Sequence, residues 1–242
     1  MKRNRILAGA ILCGLAAWTL QAALAADDAG DKPTPDTIGA RIFADPGLSA
    51  SGDLACATCH DPANAHAQSK DLPVQLGGAH RDVPGFRAVP SLRYTSYTPT
   101  FGFDDEGAPI GGFDRDGRAN DLMAQAIRPL FAAHEMANES VGALVTRLAN
   151  APYADQFRRV FGARVFEHEA ATLRALLFAL AQYEKLDPDF RPFDSKYDRF
   201  LQGSADRIAP TSANAAIFAA RSRFLRCATS RRDGCSSITG AL

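Results

Sequence analysis

Two cysteines and a histidine form the most chemically distinctive cluster of this sequence, in the segment Cys56-Ala57-Thr58-Cys59-His60. The C-x-x-C-H spacing is typical of sites that attach a c-type haem covalently. Two thiols can add across the two vinyl groups of the porphyrin, and the next residue then places an imidazole nitrogen on the iron. The segment predicts one haem c bound through Cys56 and Cys59, with His60 as an iron ligand. The alternatives are a zinc site, which needs a second ligand pair, and a redox-active dithiol.

The N-terminus has the pattern of a cleavable export signal. A basic start is followed by an apolar run from 6 to 20, and Ala23-Leu24-Ala25 fits a small-residue cleavage site. The apolar run is short for a membrane span. We therefore expect a signal peptide at 1–25, a polar leader at 26–35, export to the periplasm and no membrane span. Export agrees with the haem prediction, because bacteria attach c-type haem outside the cytoplasm.

Charge and length narrow the function classes. The 242 residues contain 27 basic and 27 acidic side chains, so the formal net charge is zero. No basic stripe runs through the body of the chain, which argues against a nucleic-acid partner. The mature chain is long enough for one large domain or two small ones.

Apolar periodicity predicts an all-α fold with long loops. Asp36 can cap a first short helix, and Asn120 or Asp121 can cap one that Pro129 would end. Asn138 can cap a helix whose apolar residues recur at helical spacing, and further helices are expected around 153–161 and 166–185. Residues 61–109 show little periodicity and no convincing alternating strand, which indicates a long structured loop around the haem.

Several segments on both sides of the haem motif resemble the di-haem cytochrome c peroxidase and MauG family. The segment before the motif, Ile42-Phe43-Ala44-Asp45-Pro46-Gly47-Leu48-Ser49, is similar to the family's, and Arg87-Ala88-Val89-Pro90-Ser91-Leu92 resembles its Arg-x-x-Pro-[ST] loop. Gly112-Phe113-Asp114-Arg115-Asp116-Gly117-Arg118-Ala119 resembles its Trp-Asp-Gly-Arg-Ala segment. Gln125, Pro129 and His134-Glu135-Met136 match its distal block. The resemblance covers about residues 36–203.

This resemblance implies a cytochrome c-like haem domain that reacts with hydrogen peroxide. Glu135 would be the acid–base residue, with Gln125 beside it and Pro129 shaping the pocket wall. Splitting an O–O bond requires a proton to move between the two oxygens, which a positioned carboxylate can do. The electrons would come from a small donor protein of the cytochrome c or cupredoxin type.

The other histidines and the methionines have several possible roles. His80 corresponds to a region where some family members carry a resting iron ligand, and the alternative is a surface-loop histidine. His134 can line the rim of the pocket. His66 is expected to be a solvated loop residue. Met123 and Met136 are expected to fill the core.

The chain also departs from the family in three ways. A second C-x-x-C-H motif is missing; in its place, residues 204–242 form a divergent Arg-rich tail that contains Cys227 and Cys235. The second cytochrome c-like domain is therefore expected to be incomplete, and a frameshift or truncation would explain this. Arg115 stands where the family has a tryptophan between its haems. Ala88 replaces an asparagine that helps bind calcium, which puts calcium binding in question.

Two further functions stay open on the sequence alone. One is a non-enzymatic, single-haem electron-transfer cytochrome c, and the other is a truncated, inactive fragment. A carrier has no need of the block formed by Gln125, Pro129 and Glu135, so that block favours the peroxidase. Asp116 and Arg118 can bind a haem propionate or each other.

Overall fold

Helices make up most of the regular structure in the computed structural model, which describes residues 32–203. The predicted signal peptide, most of the leader and the Arg-rich tail with Cys227 and Cys235 lie outside the described residues. Within 32–203, no helix is both long enough and apolar enough to cross a membrane.

Seven helices and two small strand pairs follow one another along the described chain. The helices are α1 Pro35–Ala44, α2 Cys56–Cys59, α3 Leu122–Phe131, α4 Val141–Ala149, α5 Ala154–Phe161, α6 Glu169–Leu186 and α7 Lys196–Leu201. The strands are β1 Leu76–Gly77, β2 Val83–Pro84, β3 Gly102–Phe103 and β4 Pro109–Ile110, paired antiparallel as β1–β2 and β3–β4. Each strand has only two residues, too few to show an alternating pattern, which is why the sequence did not predict them.

The core forms where α1 crosses α6. Ile38, Ile42 and Phe43 of α1 are buried, and so are Leu176, Leu177 and Leu180 of α6. At the crossing, a Cβ atom on Gly39 would lie 2.1 Å from the carbonyl oxygen of Ala179. The two backbones therefore approach so closely that only glycine fits at position 39.

Two predicted helix boundaries are wrong. Helix α1 begins at Pro35 after Thr34, so Asp36 lies in its first turn and does not cap it. Proline suits the first helical position because its ring fixes φ at a value close to that of a helix. Helix α3 continues through Pro129 to Phe131. Proline has no backbone N–H, so one hydrogen bond of the helix is missing there. The burial of Ala126 and Leu130 stabilises the helix on both sides of this position.

Asn138 is also not the helix cap that its position suggests. Ser140 caps α4 by accepting a hydrogen bond from the Ala143 backbone, while Asn138 is only 4% exposed. The amide nitrogen of Asn138 donates to the carbonyl oxygens of Leu48 at 2.9 Å and Leu130 at 2.8 Å. Asn138 therefore ties the segment after α3 to the segment before the haem motif.

Helix α6 buries one carboxyl group in the core. Glu184 is only 6% exposed. Burial raises the pKa of Glu184 to about 7, against the opposite effect of a hydrogen bond with the Thr95 side chain. A carboxyl group without a nearby cation holds its proton more strongly inside a protein than in water, because burial disfavours the charged form.

Replacing Gly39 by alanine should lower the free energy of unfolding by about 1–3 kcal/mol, the usual cost of forcing extra atoms into a packed core. Gly102→Ala is the control, because nothing lies within 4 Å of a Cβ atom at that position. Chemical denaturation of both variants measures the difference. Equal stability of the two variants would contradict the close packing of α1 on α6.

Replacing Glu184 by glutamine should change how stability depends on pH. The folded pKa, about 7, lies above the ordinary value of 4.5, so the contribution of Glu184 is complete below pH 4.5 and is lost as the pH rises through 7. Denaturation at pH 5 and pH 8 should show a decrease that Glu184→Gln reduces by up to about 3 kcal/mol. Glu169→Gln, an exposed change on the same helix, should leave the decrease unaltered; an unchanged slope in Glu184→Gln would contradict the burial.

Candidate haem-binding site

One helical turn brings the two thiols and the imidazole together. Cys56 and Cys59 begin and end α2, and the backbone N–H of His60 donates to the carbonyl oxygen of Cys56 at 2.8 Å. Residues three and four positions apart lie on the same face of a helix. Neither thiol forms a disulfide. The turn therefore presents two free thiols and one imidazole to the same side.

Two backbone carbonyl groups orient the His60 ring. Its Nδ1 lies 3.1 Å from the carbonyl oxygen of His66 and 3.0 Å from that of Pro90. Both oxygens can only accept, so Nδ1 carries the proton and the lone pair stays on Nε2. Burial lowers the pKa of His60, although these two hydrogen bonds oppose the effect. His60 is thus a neutral imidazole with Nε2 available to a metal, as an iron ligand requires.

The surroundings of the thiols distinguish between the interpretations of the C-x-x-C spacing. Burial raises the pKa of Cys56 to about 12 and also raises that of Cys59. Redox-active cysteines instead need a lowered thiol pKa, so the dithiol alternative does not fit. Within 32–203, no group of three or more His, Cys, Asp and Glu side chains is arranged to hold a metal ion. A thioether carries no charge and suits these apolar surroundings, so the residues fit a covalently bound haem c.

His66 is buried, so its prediction as a solvated loop residue is wrong. It is 0% exposed, and its ring stacks on that of Phe190 with 3.9 Å between centroids. Phe43 contacts it edge-on. Burial lowers the pKa of His66, which keeps the ring neutral among the phenyl groups. Sequence spacing could not show this, because Phe43 and Phe190 lie far from His66 along the chain.

The buried position of His66 has a consequence for His60. The loop after α2 closes through the bridge between Asp61 and Ala67. With its ring fixed by aromatic packing, His66 presents its carbonyl oxygen to His60. Neither this carbonyl nor that of Pro90 was predicted, since a backbone acceptor leaves no signal in residue type.

Glu135 lies at the same site as the two thiols. After burial, its negative charge is the next largest cause of the raised pKa of Cys59, whereas the charge of Glu184 raises the pKa of Cys56 more than that of Glu135 does. The residue after strand β1 holds its backbone, because Gly78 donates from its N–H to the Glu135 carbonyl oxygen at 2.8 Å. A Cβ atom on Gly77 would lie 2.2 Å from the carbonyl oxygen of His134, so glycine is needed for this approach.

Burial also makes Glu135 a weaker acid than an ordinary carboxyl group. It raises the pKa of Glu135, while the charges of His134 and Arg128 lower it and that of Asp114 raises it again. Arg128 donates to Asp114 at 2.6 Å, which holds the guanidinium group beside the site. A carboxyl group whose pKa has moved toward neutral pH can both accept and return a proton.

Helix α3 carries the other two predicted residues of the distal block. Gln125 and Pro129 are four positions apart and share one face of α3, and both are partly buried. The carbonyl oxygen of Pro129 accepts a hydrogen bond from the backbone of Met136 at 3.1 Å, which ties the helix to the residue after Glu135. Met136 is buried and Met123 packs against the core, in agreement with their prediction as core residues.

The remaining predicted residues lie around the edge of the candidate haem-binding site. His80 is exposed in the turn between β1 and β2, and its role as an iron ligand stays a prediction. The ring of His134 packs on the exposed ring of Phe86, with 4.2 Å between centroids. Arg118 and Asp116 pair with each other, which favours the ion pair over the propionate contact.

Comparison with known proteins agrees with this geometry. The sequence model of the di-haem cytochrome c peroxidase family matches residues 35–206. The chain is 38% identical to methylamine utilization protein MauG of Paracoccus denitrificans over 193 residues, 78% of this chain and 48% of the relative. It is 27% identical to cytochrome c551 peroxidase of Nitrosomonas europaea over 173 residues, 71% of this chain and 44% of the relative.

A solved structure shows the same likeness in three dimensions. The diheme peroxidase BthA from Burkholderia thailandensis superposes with a TM-score of 0.65 at 32% identity, over 73% of this chain and 43% of that chain. This chain spans about half the length of the curated relatives that it matches. Its mostly helical fold and its sequence over residues 35–206 place it in one family. The chain belongs to the di-haem cytochrome c peroxidase family.

Proposed function

We propose that the protein is an exported c-type haem peroxidase, which reduces hydrogen peroxide to water in the periplasm. The observation that carries this proposal is Glu135, a partly buried carboxyl group whose neighbour Met136 accepts a backbone hydrogen bond from Ala50, six residues before Cys56. An electron-transfer cytochrome needs attachment and ligation but gives no role to such a carboxyl group. The geometry therefore supports the enzyme better than the carrier.

One set of residues would attach the haem and bind its iron, and another would transfer the proton. Cys56 and Cys59 would hold the porphyrin, and His60 would bind the iron through Nε2. The bound haem would supply the iron that takes peroxide and the electrons that reduce it. Two carbonyl oxygens keep the His60 ring from turning, so the ligand stays neutral and fixed.

Glu135 would move the proton that peroxide cleavage requires. One carboxylate oxygen accepts a proton from the incoming peroxide, and the same group returns it to the leaving oxygen, which departs as water. Gln125 and Pro129, on the adjacent face of α3, would orient the peroxide and limit the space around it. Arg128, held by Asp114, lowers the pKa of Glu135 and so keeps the carboxylate form accessible.

The electron donor and the haem count belong to the same proposal. We assign one haem to this chain because C-x-x-C-H occurs once in its sequence. The donor would be a small redox protein of the cytochrome c or cupredoxin type. His80, two residues beyond Gly78 in the β1–β2 turn, is proposed as a second imidazole for the resting iron.

Replacing Glu135 by glutamine tests the proton transfer. Glutamine keeps the shape but cannot accept the proton, so the reaction of the bound haem with peroxide should slow by about 10²–10⁴. Stopped-flow absorbance of the haem after mixing with hydrogen peroxide measures the rate, and the haem content should equal that of the wild type. Glu139→Gln, an exposed change four residues later, is the control. Equal rates in Glu135→Gln and the wild type would disprove the assigned role.

A further inference from the structure

Tyr153 and Asp45 form a partly buried hydrogen bond that the proposed peroxide chemistry does not use. Tyr153 is 5% exposed, and its hydroxyl donates to Oδ2 of Asp45 at 2.8 Å. The other carboxylate oxygen of Asp45, Oδ1, accepts from the backbone N–H of Gly47 at 2.8 Å. The carboxylate is therefore fixed with one oxygen directed at the phenol.

The phenol lies close to the haem attachment point. Tyr153 belongs to the core cluster against which Cys56 and Cys59 pack. Burial is the largest cause of a strongly raised Tyr153 pKa, followed by the hydrogen bond and charge of Asp45 and then by the charge of Cys56. Since the Cys56 sulfur would be bonded to the porphyrin, Tyr153 would lie in the core cluster against which the attachment point packs.

The other tyrosines differ from Tyr153 in their surroundings. The hydroxyl of Tyr94 reaches Asp198 only at 3.5 Å. Tyr183 packs its ring on Phe43 and Phe190. Tyr97 and Tyr197 are exposed, and the single tryptophan, Trp18, lies outside the described residues. Within 32–203, Tyr153 is thus the buried phenol with a short hydrogen bond to a carboxylate.

We propose that Tyr153 is a one-electron donor to the haem after its reaction with peroxide, with Asp45 as the acceptor of the phenolic proton. The inference rests on the proposed function, because peroxide is the oxidant. Tyr153 gives one electron to the oxidised haem and becomes a neutral phenoxyl radical. Its O–H bond breaks, an O–H bond forms on Oδ2 of Asp45, and the haem is reduced by one electron.

The hydrogen bond explains why this tyrosine is suited to the step. Loss of an electron alone would leave a positive charge in the apolar core, which is costly. Transfer of the proton along the existing hydrogen bond leaves two neutral groups. Asp45 also borders a surface groove of about 380 Å³, which is lined by Gly47, Thr146, Arg147, Asn150, Ala151 and Pro152. The proton on Asp45 can therefore exchange with solvent.

This electron transfer also accounts for the two oxidising equivalents of peroxide in a chain with one haem motif. Reduction of peroxide to water takes two electrons. A bound haem would supply both, and Tyr153 would then give one electron back to it. One oxidising equivalent would remain on the haem and one on Tyr153, and two single-electron transfers from the donor protein would restore both groups.

Rapid-freeze electron paramagnetic resonance of the haem-loaded, full-length protein tests the proposal. After mixing with hydrogen peroxide, the wild type should show a tyrosyl radical whose spectrum narrows when ring-deuterated tyrosine is incorporated. Tyr153→Phe should lose this signal, and Tyr183→Phe, the matched change of another core tyrosine, should keep it. Asp45→Asn keeps the phenol but removes the proton acceptor, so its radical yield should fall at least tenfold.

Stopped-flow absorbance of the same samples separates this inference from the function on which it rests. The first reaction of the haem with peroxide should be equally fast in the wild type, Tyr153→Phe and Asp45→Asn. A haem that does not react with peroxide would disprove the proposed function and the inference together. A haem that reacts while the radical is absent, or persists unchanged in Tyr153→Phe or Asp45→Asn, would disprove the role of the Tyr153–Asp45 pair alone.

Discussion

The imidazole of His60 is fixed by two backbone carbonyl groups, and the packing of α1 and the turn after α6 holds one of them in place. The His66 carbonyl depends on the burial of the His66 ring between Phe43 and Phe190. These phenylalanines come from α1 and from the turn after α6, so the α1–α6 crossing also fixes the carbonyl. A ligand oriented in this way keeps one tautomer and one ring orientation.

Burial at the same site has opposite effects on neutral and charged groups. It favours thioether bonds at Cys56 and Cys59 because they carry no charge, and it raises the pKa of Glu135 and Glu184. The two carboxyl groups nonetheless differ in their neighbours. Glu135 has His134 and Arg128 nearby, and their charges lower its pKa against the effect of burial, whereas only a hydrogen bond with the Thr95 side chain lowers the pKa of Glu184, which is about 7. Different neighbours thus suit Glu135 to proton transfer and leave Glu184 as a core residue.

The sequence predicted those parts of the fold and site whose determinants lie close together along the chain. The spacing of Cys56, Cys59 and His60 places them on one helical turn, and the leucine periodicity predicted α6 to within a few residues of Glu169–Leu186. The sequence did not predict the positions of side chains that depend on contacts between distant segments. Asn138 is a residue type that commonly caps helices, but its side chain donates hydrogen bonds to the carbonyl oxygens of Leu48 and Leu130. His66 is expected in solvent from its loop position but is fully buried.

The central claim is that a porphyrin is bonded to Cys56 and Cys59 and bound through its iron by His60. The most direct measurement is the mass of the proteolytic peptide that contains residues 56–60, from protein produced in a host with working haem-attachment machinery. This peptide should carry the added mass of one haem and keep it under denaturing conditions. A peptide with the mass of two unmodified cysteines would rule out covalent attachment at Cys56 and Cys59.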